Sequence, residues 1–532
     1  MNYAELKKAY EESLQKCSEL EKEIEDKDLR IEHLTELLIK RNKMLFGQKS
    51  EKGKYICDGQ LSLDGMVLNE AEEQSDFNIS EPTADTIVKK SKKTGKHRGR
   101  KEIRADLETK KVVYELPNDE QICNVCGEPL TEYTEEYLTT RLAVIPEKVY
   151  QIEYYRKVYK CKNCDKNGEK ANIVKADNKT PACIIKKGLP DASIVADTMQ
   201  RKYQLGEPLY RQQQYWERRG IYLNRTSLAN WIIKGAVWFE PVIRQLKYHA
   251  FLEPVLNADE TPTRVLKKNG EPVNKKGQMW VICTGAAASR KIALYAYRES
   301  RSKKVAEELL RGYTGVVQTD GFQSYGSGEY KHSGCWSHCR RYYVDCIPKG
   351  DKNCPSAQIV ALIDKAFYYE RKMRKHRCPE KLVLKIRKKK IKPLLDRIYE
   401  IIDTLRPSKD SQLYTAVTYA RNQKEKLYYF LDDPNVEMTN NLAEQTVKSY
   451  VINRKNFLFS DTEKGADASA AVMSIIETAK RNNLDVYGYL THLLTVLPEW
   501  GKNPTDEQLE SVMPWSESLP DFCRQEYDEI KR

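Results

Sequence analysis

Two stretches of the chain run from apolar residues into an acid: EPVLNAD ends at Asp259 and GVVQTD ends at Asp320. Two carboxylates held ~4–6 Å apart repel and do not both ionise without a cation. Oxygen-only ligands with open positions select Mg²⁺ or Mn²⁺, and a pair of such ions can activate a nucleophile and stabilise a departing oxygen in phosphoryl transfer. That chemistry needs a third carboxylate, best carried by a rigid helix. Glu444, in NNLAEQTVK, is the candidate, with Asn440 or Thr439 placed to cap the helix. Lys448 stands one turn further on the same face, within reach of a phosphate or of an attacked DNA end.

A second chemistry belongs to four cysteines. Cys123-x2-Cys126 and Cys161-x2-Cys164 form two knuckles, each supplying half of a tetrahedral thiolate shell for Zn²⁺. Strand-like runs between them, EEYLTTRLAVIP and KVYQIEYYRKVYKC, suit a zinc ribbon. Four thiolates leave no open position, so this zinc is expected to be structural. The plainer alternative is a redox pair, which usually occurs as a single motif. Cys335, His338 and Cys339 in CWSHC resemble a second zinc site but lack a partner knuckle. They read as a packed strand-to-helix corner, with His338 near the acids.

The acids need a frame. EPVLNADETPTRV, GQMWVICTG and RKIALYAYR read as three strands, SKKVAEELLRGY as a helix, and GVVQTDGFQSY as a fourth strand. HSGCWSHCRRYYVDC reads as another strand running into a helix. This is the order of a ribonuclease H-like fold, where the first and fourth strands are neighbours and their terminal carboxylates meet. Glu260 alternates to the opposite face from Asp259 and is the weaker ligand.

Upstream, Tyr3, Tyr10, Cys17, Ile24, Ile31, Leu38 and Leu45 recur every seven residues, which predicts a coiled-coil helix and a homo-oligomer formed through it. An acidic, polar linker follows, then VKKSKKTGKHRGRKEIR. Such a run can neutralise phosphates, with Arg98 and Arg100 narrow enough for a minor groove and Lys101 beside them; the bland reading is a solvated tail. DASIVADTMQRKYQLG, EPLYRQQQYWERRG and NRTSLANWIIKGAVWF read as short helices punctuated by Gly206 and Gly220, with Asn224 or Thr226 as a cap. They suit a helix-turn-helix in which Arg211, Arg218, Arg219 and Arg225 reach phosphates or bases; a plain helical subdomain is the alternative.

In this order and spacing the chain resembles the transposases of insertion-sequence family 66, within the DDE-type (two Asp, one Glu) transposases. The resemblance rests on MLFGQKSEK at 44–52, the cysteine knuckles, EPLYRQQQYWERRGIYLNRTSLANWI, ADET at 258–261, QTDGFQSY at 318–325, GCWSHCRRYY at 334–343, NNLAEQTVK at 440–448 and RKNFLFSDTEKGADASA at 454–470. It implies Asp259, Asp320 and Glu444 as the metal-binding triad, DNA strand cleavage and joining at the ends of a mobile element, a helical insertion before Glu444, and small accessory proteins from the same element. Gln445 departs from the pattern, since the family often has Arg there.

The expected organisation is multidomain α+β. It comprises a coiled-coil helix (1–48), a linker with the basic segment (49–110), a zinc ribbon (111–180) and a helix-turn-helix-like helical domain (181–250). A ribonuclease H-like α/β catalytic core (251–480) follows, with a helical insertion at 350–432, and a C-terminal helical segment (481–532) ends the chain. Trp515 and Pro514 in that last segment read as packing anchors. The length of 532 residues accommodates this. No run approaches the ~18 apolar residues of a membrane span, and the N-terminus has no apolar signal core, so a cytoplasmic protein without membrane partners is expected. A net charge of +13 is compatible with DNA, both element ends and target, as partner. Two rivals share these features: a ribonuclease H-like nuclease that cuts without joining, and a zinc-dependent DNA-binding regulator with an inert core.

Overall fold

The computed structural model describes residues 188–524 apart from positions 269, 274, 275, 322, 326, 327, 349, 350 and 352, together with 181–185, 173–175, 157–160, 149–155 and the single positions 16 and 27. The chain divides into two compact units, 70–180 and the remainder. In the smaller unit, β1 (Val158–Lys160) pairs antiparallel with β2 (Ile173–Lys175), so Cys161 directly follows a paired strand in sequence. Among the described residues no helix is long and apolar enough to cross a membrane.

The larger unit is built on a five-stranded mixed sheet. Its long central strand is β3 (Val255–Thr263). After the short hairpin of β4 (Val265–Lys268) and β5 (Glu271–Pro272) come β6 (Gly277–Thr284), β7 (Ala293–Arg298), β8 (Val316–Gln318) and β9 (Lys331–Ser333), in the sheet order β7-β6-β3-β8-β9. β3, β6 and β7 are antiparallel neighbours. β8 and β9 run parallel to β3. β-branched and aromatic residues dominate β6 (GQMWVICT), which is buried along almost its whole length because both of its faces are covered.

Within the described stretch 188–254, four α-helices lead into the sheet: α1 (Ala192–Tyr203), α2 (Leu209–Glu217), α3 (Arg225–Ala236) and α4 (Glu240–Phe251). Gly206 and Gly220 take φ of +70° and +76°, the left-handed conformation that ends helices cheaply, after α1 and α2. Asn224 caps α3 by accepting from Ser227 N–H at 2.8 Å, as its sequence position predicts. α5 (Lys303–Leu309) lies between β7 and β8, and after β9 come α6 (Trp336–Asp345) and the helices of the long insertion, α7 (Pro355–Lys375), α8 (Glu380–Ile386), α9 (Lys392–Thr404), α10 (Gln412–Asn422) and α11 (Lys424–Tyr428). Then follow α12 (Asn441–Phe457), β10 (Ser460–Thr462), α13 (Glu463–Arg481) and α14 (Val486–Trp500).

Two apolar clusters hold this together. One is continuous from the α1–α4 helices through β6 and β7 to α12, α13 and α14, joining Met199, Trp231, Met279, Tyr450, Ile476 and Leu494 among others. The apolar faces of the α1–α4 segment are thus filled by the C-terminal helices. The second cluster lies under the insertion and joins Val255 and Val316 to Trp336, Tyr343, Ile363, Ile398 and Phe430. Arg387 pins the insertion: it is 3% exposed, pairs with Glu370 at 2.8 Å, and donates to the carbonyls of Phe430, Asp433 and Val436. A buried guanidinium is tolerated because every face of it meets an acceptor.

α13 also closes the outer edge of the sheet. Its Thr478 hydroxyl accepts from Ala293 N–H at 3.1 Å, and its Ser474 hydroxyl accepts from Tyr295 N–H at 2.7 Å, both on the edge strand β7. Pro514 is buried and Trp515 packs edge-on against His249 at 5.1 Å, the anchoring role expected of them.

Candidate active site

Asp259 and Asp320 stand at the same end of neighbouring parallel strands. Asn257 is the register partner of Gln318, so each acid follows its paired residue by two positions. The Asp259 carboxylate accepts from Glu260 N–H at 2.8 Å. Beyond β8 the chain bends sharply. Gly321 takes φ +90°, and a Cβ there would sit 2.9 Å from the Tyr419 hydroxyl, so only glycine fits without displacement. That hydroxyl, on α10 of the insertion, donates to the Asp320 carbonyl at 2.6 Å, while Gln423 donates to the Gly321 carbonyl at 3.3 Å. The insertion therefore holds the peptide of the second acid.

Glu444 lies in the first turn of α12. The approach to that helix runs along the start of α6: Trp336 N–H bonds the Met438 carbonyl at 3.1 Å, and Asn440 N–H donates to Cys335 Sγ at 3.1 Å. Asn440 occupies the cap position, yet its side chain makes no capping bond. The expectation of an ordinary Asn cap is corrected here. The Asn440 amide donates to the Ala258 carbonyl at 2.9 Å and accepts from Asn257 at 2.9 Å, across to β3. Asn257 also donates to Gln318 Oε1 at 3.2 Å, and Gln318 donates to the Glu437 carbonyl at 2.5 Å. A buried amide network thus ties together the strands bearing both aspartates and the entry to the helix bearing the glutamate. Buried amides persist only when their bonds are made, so the network specifies one arrangement.

The three acids share one electrostatic environment. Burial pushes the Asp259 carboxyl well above the usual carboxylate range, and the charges of Glu260, Asp320 and Glu444 raise it further. Glu444 Oε1 is shielded from solvent and has no hydrogen-bond partner, while His338 Nδ1 faces it at 3.5 Å. The unsatisfied Glu444 oxygen and the hard oxygen donors of the two aspartates fit a divalent cation such as Mg²⁺ or Mn²⁺. Glu260 has other work. It accepts from the Tyr325 hydroxyl and pairs with Arg301, which also lies 3.7 Å from Asp320. Lys448 is on α12 as expected, but it is a buried residue whose Nζ has no hydrogen-bond partner; burial lowers its pKa.

A family described as Transposase IS66 family matches residues 187–468, more than half of the chain. The chain belongs to the IS66 transposase family. Further IS66 segments match on either side: the IS66 C-terminal element at 474–515, a zinc-finger binding domain of transposase IS66 at 120–165, and a segment described as Transposase C of IS166 homeodomain at 33–112. Relatives from Sinorhizobium fredii (strain NBRC 101917 / NGR234) carry no described activity. The uncharacterized protein y4qI is 28% identical over 71% of this chain and 70% of its own length, and y4hP is 26% identical over 90% and 87%. A third, y4jD, is 27% identical over 75% and 78%.

For this IS66 chain the zinc-finger match spans Cys123, Cys126, Cys161 and Cys164, which lie outside the described residues. So do Arg98, Arg100 and Lys101, within the homeodomain match, and all of the 1–48 heptad except Lys16 and Lys27, which are helical and exposed. Arg211, Arg218 and Arg219 are exposed and line a shallow depression of about 380 Å³ with Tyr210 and Tyr215. The Arg219 guanidinium stacks on Tyr215 at 3.8 Å. Arg225 is also exposed, at the first turn of α3.

Sequence reasoning missed the roles of Arg301, Asn257 and Gln318, although the last two lie within the stretches that end at Asp259 and Asp320. It grouped Cys335 with His338 and placed His338 near the acids, but did not join Cys335 to Glu444. The ligand atoms of Cys335, His338 and Glu444 lie within 4.8 Å of one another.

Proposed function

We propose that this IS66 chain is a DDE-type transposase that cuts DNA at the ends of its element and joins the freed ends to target DNA, using a ribonuclease H-like core. The observation that carries the reading is the parallel register of β3 and β8, which brings Asp259 and Asp320 to one end of the sheet, beside the amide-linked start of the helix bearing Glu444. Asp259, Asp320 and Glu444 hold Mg²⁺ or Mn²⁺. When bound, those ions supply activation of the attacking oxygen and stabilisation of the leaving one. The Asn257–Asn440 link keeps the acids in register. Lys448 offers its enclosed ammonium to a phosphate, the partner that it lacks within the protein.

DNA is held elsewhere. Arg211, Arg218, Arg219 and Arg225 bind phosphates from the exposed ends of α2 and α3, joined by Arg98, Arg100 and Lys101 of the basic run. Cys123, Cys126, Cys161 and Cys164 hold a structural Zn²⁺, and the N-terminal heptad pairs two copies so that two ends are gathered. The protein works in the cytoplasm, on the nucleoid.

The test is an assay with labelled element ends, a target plasmid and Mg²⁺. Joined product is expected from the parent. Asp259→Asn, Asp320→Asn and Glu444→Gln are each expected to abolish cleavage and joining while end binding in a mobility assay persists. Cleavage without joined product would convert the reading to a nuclease, and joining retained in any one variant would remove that residue from the triad.

A further inference from the structure

Cys335, His338 and Glu444 bring a sulfur, a nitrogen and an oxygen donor to one point, all within 4.8 Å of each other. They come from two helix starts. Cys335 immediately precedes α6, His338 lies in its first turn, and Glu444 lies in the first turn of α12. His338 Nδ1 and Glu444 Oε1 are 3.5 Å apart, both are sealed from solvent, and neither has a hydrogen-bond partner. Leaving two such atoms unsatisfied is costly unless something bridges them.

Cys335 is fully buried and accepts the Asn440 N–H at 3.1 Å. Its sulfur therefore faces the N-terminal ends of both helices, where backbone N–H groups and helix dipoles favour a thiolate. A divalent cation bound here displaces the thiol proton to solvent and binds the imidazole in its neutral form.

The donor types discriminate between metals. A thiolate with an imidazole and a single carboxylate suits a borderline-soft, tetrahedral ion and suits Mg²⁺ poorly. Asp259, Asp320 and Glu444 are all oxygen and suit the hard ion. Glu444 belongs to both sets.

We propose that Cys335, His338 and Glu444 form a transition-metal site of the Zn²⁺ class beside the carboxylate centre, and that filling it withdraws Glu444 from strand cleavage. The second half rests on the reading of Glu444 as the third catalytic carboxylate; the first half does not. Three protein ligands leave one tetrahedral position for solvent. The site makes the enzyme sensitive to free zinc, with Mg²⁺-supported cleavage as the output.

The experiment uses the full chain with zinc already loaded on its cysteine knuckles. Co²⁺ added to this protein should produce an intense thiolate-to-cobalt absorption band, saturating at one further equivalent per chain. Cys335→Ser, nearly isosteric, should lose the band. His338→Gln should weaken Co²⁺ binding by at least about a hundredfold, because a direct ligand counts for more than the outer partners whose loss costs ~10–100-fold. Asp259→Asn and Asp320→Asn should keep the band. No additional cobalt equivalent, or an unchanged band in Cys335→Ser, overturns the site; if Cys335→Ser does not fold, parental affinity in His338→Gln does so.

The second arm adds Zn²⁺ to Mg²⁺-supported cleavage, each variant being measured against its own zinc-free rate. The parent should slow by about tenfold or more, and His338→Gln should not respond. Equal inhibition in both overturns the withdrawal of Glu444. A parent that shows no Mg²⁺-dependent cleavage removes the transposase reading and this second half with it, while the cobalt result still decides the first.

Discussion

Asn257 on β3 donates to the Asn440 side chain at 2.9 Å, joining the strand that bears Asp259 to the residue that opens the helix bearing Glu444. Neither amide titrates, so the link holds its geometry across pH. Replacing Asn257 or Asn440 by Ala strands buried partners, at a cost of about 1–3 kcal/mol each. The two should couple in a double-mutant cycle by about 0.5–3 kcal/mol, measured by urea unfolding. Strand transfer should fall in both variants while end binding holds. Additive effects would show that the bond contributes nothing specific.

Lys448 separates stability from activity. Its ammonium is enclosed and has no hydrogen-bond partner, and burial lowers its pKa. Lys448→Met keeps the packing and removes the buried charge, so the melting temperature should rise, reflecting about 1 kcal/mol or more. Strand transfer should drop at least about tenfold, since a charge-assisted phosphate contact is worth roughly 1.5–3 kcal/mol. A lower melting temperature would mean that the amine already has a partner in the free protein.

His332 should make stability depend on pH. Burial, aided by Lys426, lowers its pKa from 6.5 to about 3, and its Nε2 shares a 2.7 Å hydrogen bond with the Thr319 hydroxyl beside Asp320. Below pH 6.5 the unfolded chain takes up a proton that the folded protein refuses until about pH 3. Stability is therefore lost as the pH falls through that window. Between pH 7 and pH 5 the loss from this group is about 2 kcal/mol. The buried acids oppose it, because Asp259, Glu260 and Glu437 have raised pKa values and favour the folded state on acidification. The comparison that isolates His332 is His332→Gln against the parent in urea titrations at both pH values. Parallel curves would exclude the effect.

The arginines of α2 and of the turn after it can be counted through salt. Arg211→Gln, Arg218→Gln and Arg219→Gln should each weaken end binding, and each lost phosphate contact should flatten the plot of log K against log salt by about 0.9. Arg219 stacks on Tyr215 at 3.8 Å, and Arg211 donates to the Tyr210 hydroxyl at 3.1 Å. Unchanged slopes in all three variants would move the DNA to another face.

The sheet was legible because its signals are local. Apolar runs ending in Asp259 and Asp320 announce strands, and the register of Asn257 with Gln318 follows the neighbouring of first and fourth strands that the element order implies. The helix beginning near Asn440 was legible too, but the use of the Asn440 side chain was not, since a capping residue and a cross-sheet bridge look alike in sequence. The roles of Arg301 and Cys335 escaped for a different reason. Their partners, Glu260 for one and Glu444 for the other, are distant in sequence and meet only after the sheet and the insertion have folded. The filling of the α1–α4 faces by helices from the far end of the chain was invisible on the same ground, because periodicity reveals an apolar stripe but not its occupant.

The hydroxyls of Ser474 and Thr478 occupy the hydrogen-bonding groups that β7 would otherwise present along the rim of the sheet. Exposed rims recruit foreign strands and seed aggregation. With this flank sealed by its own helix, the backbone of Ala293 and Tyr295 is withheld from the indiscriminate adhesion of another chain.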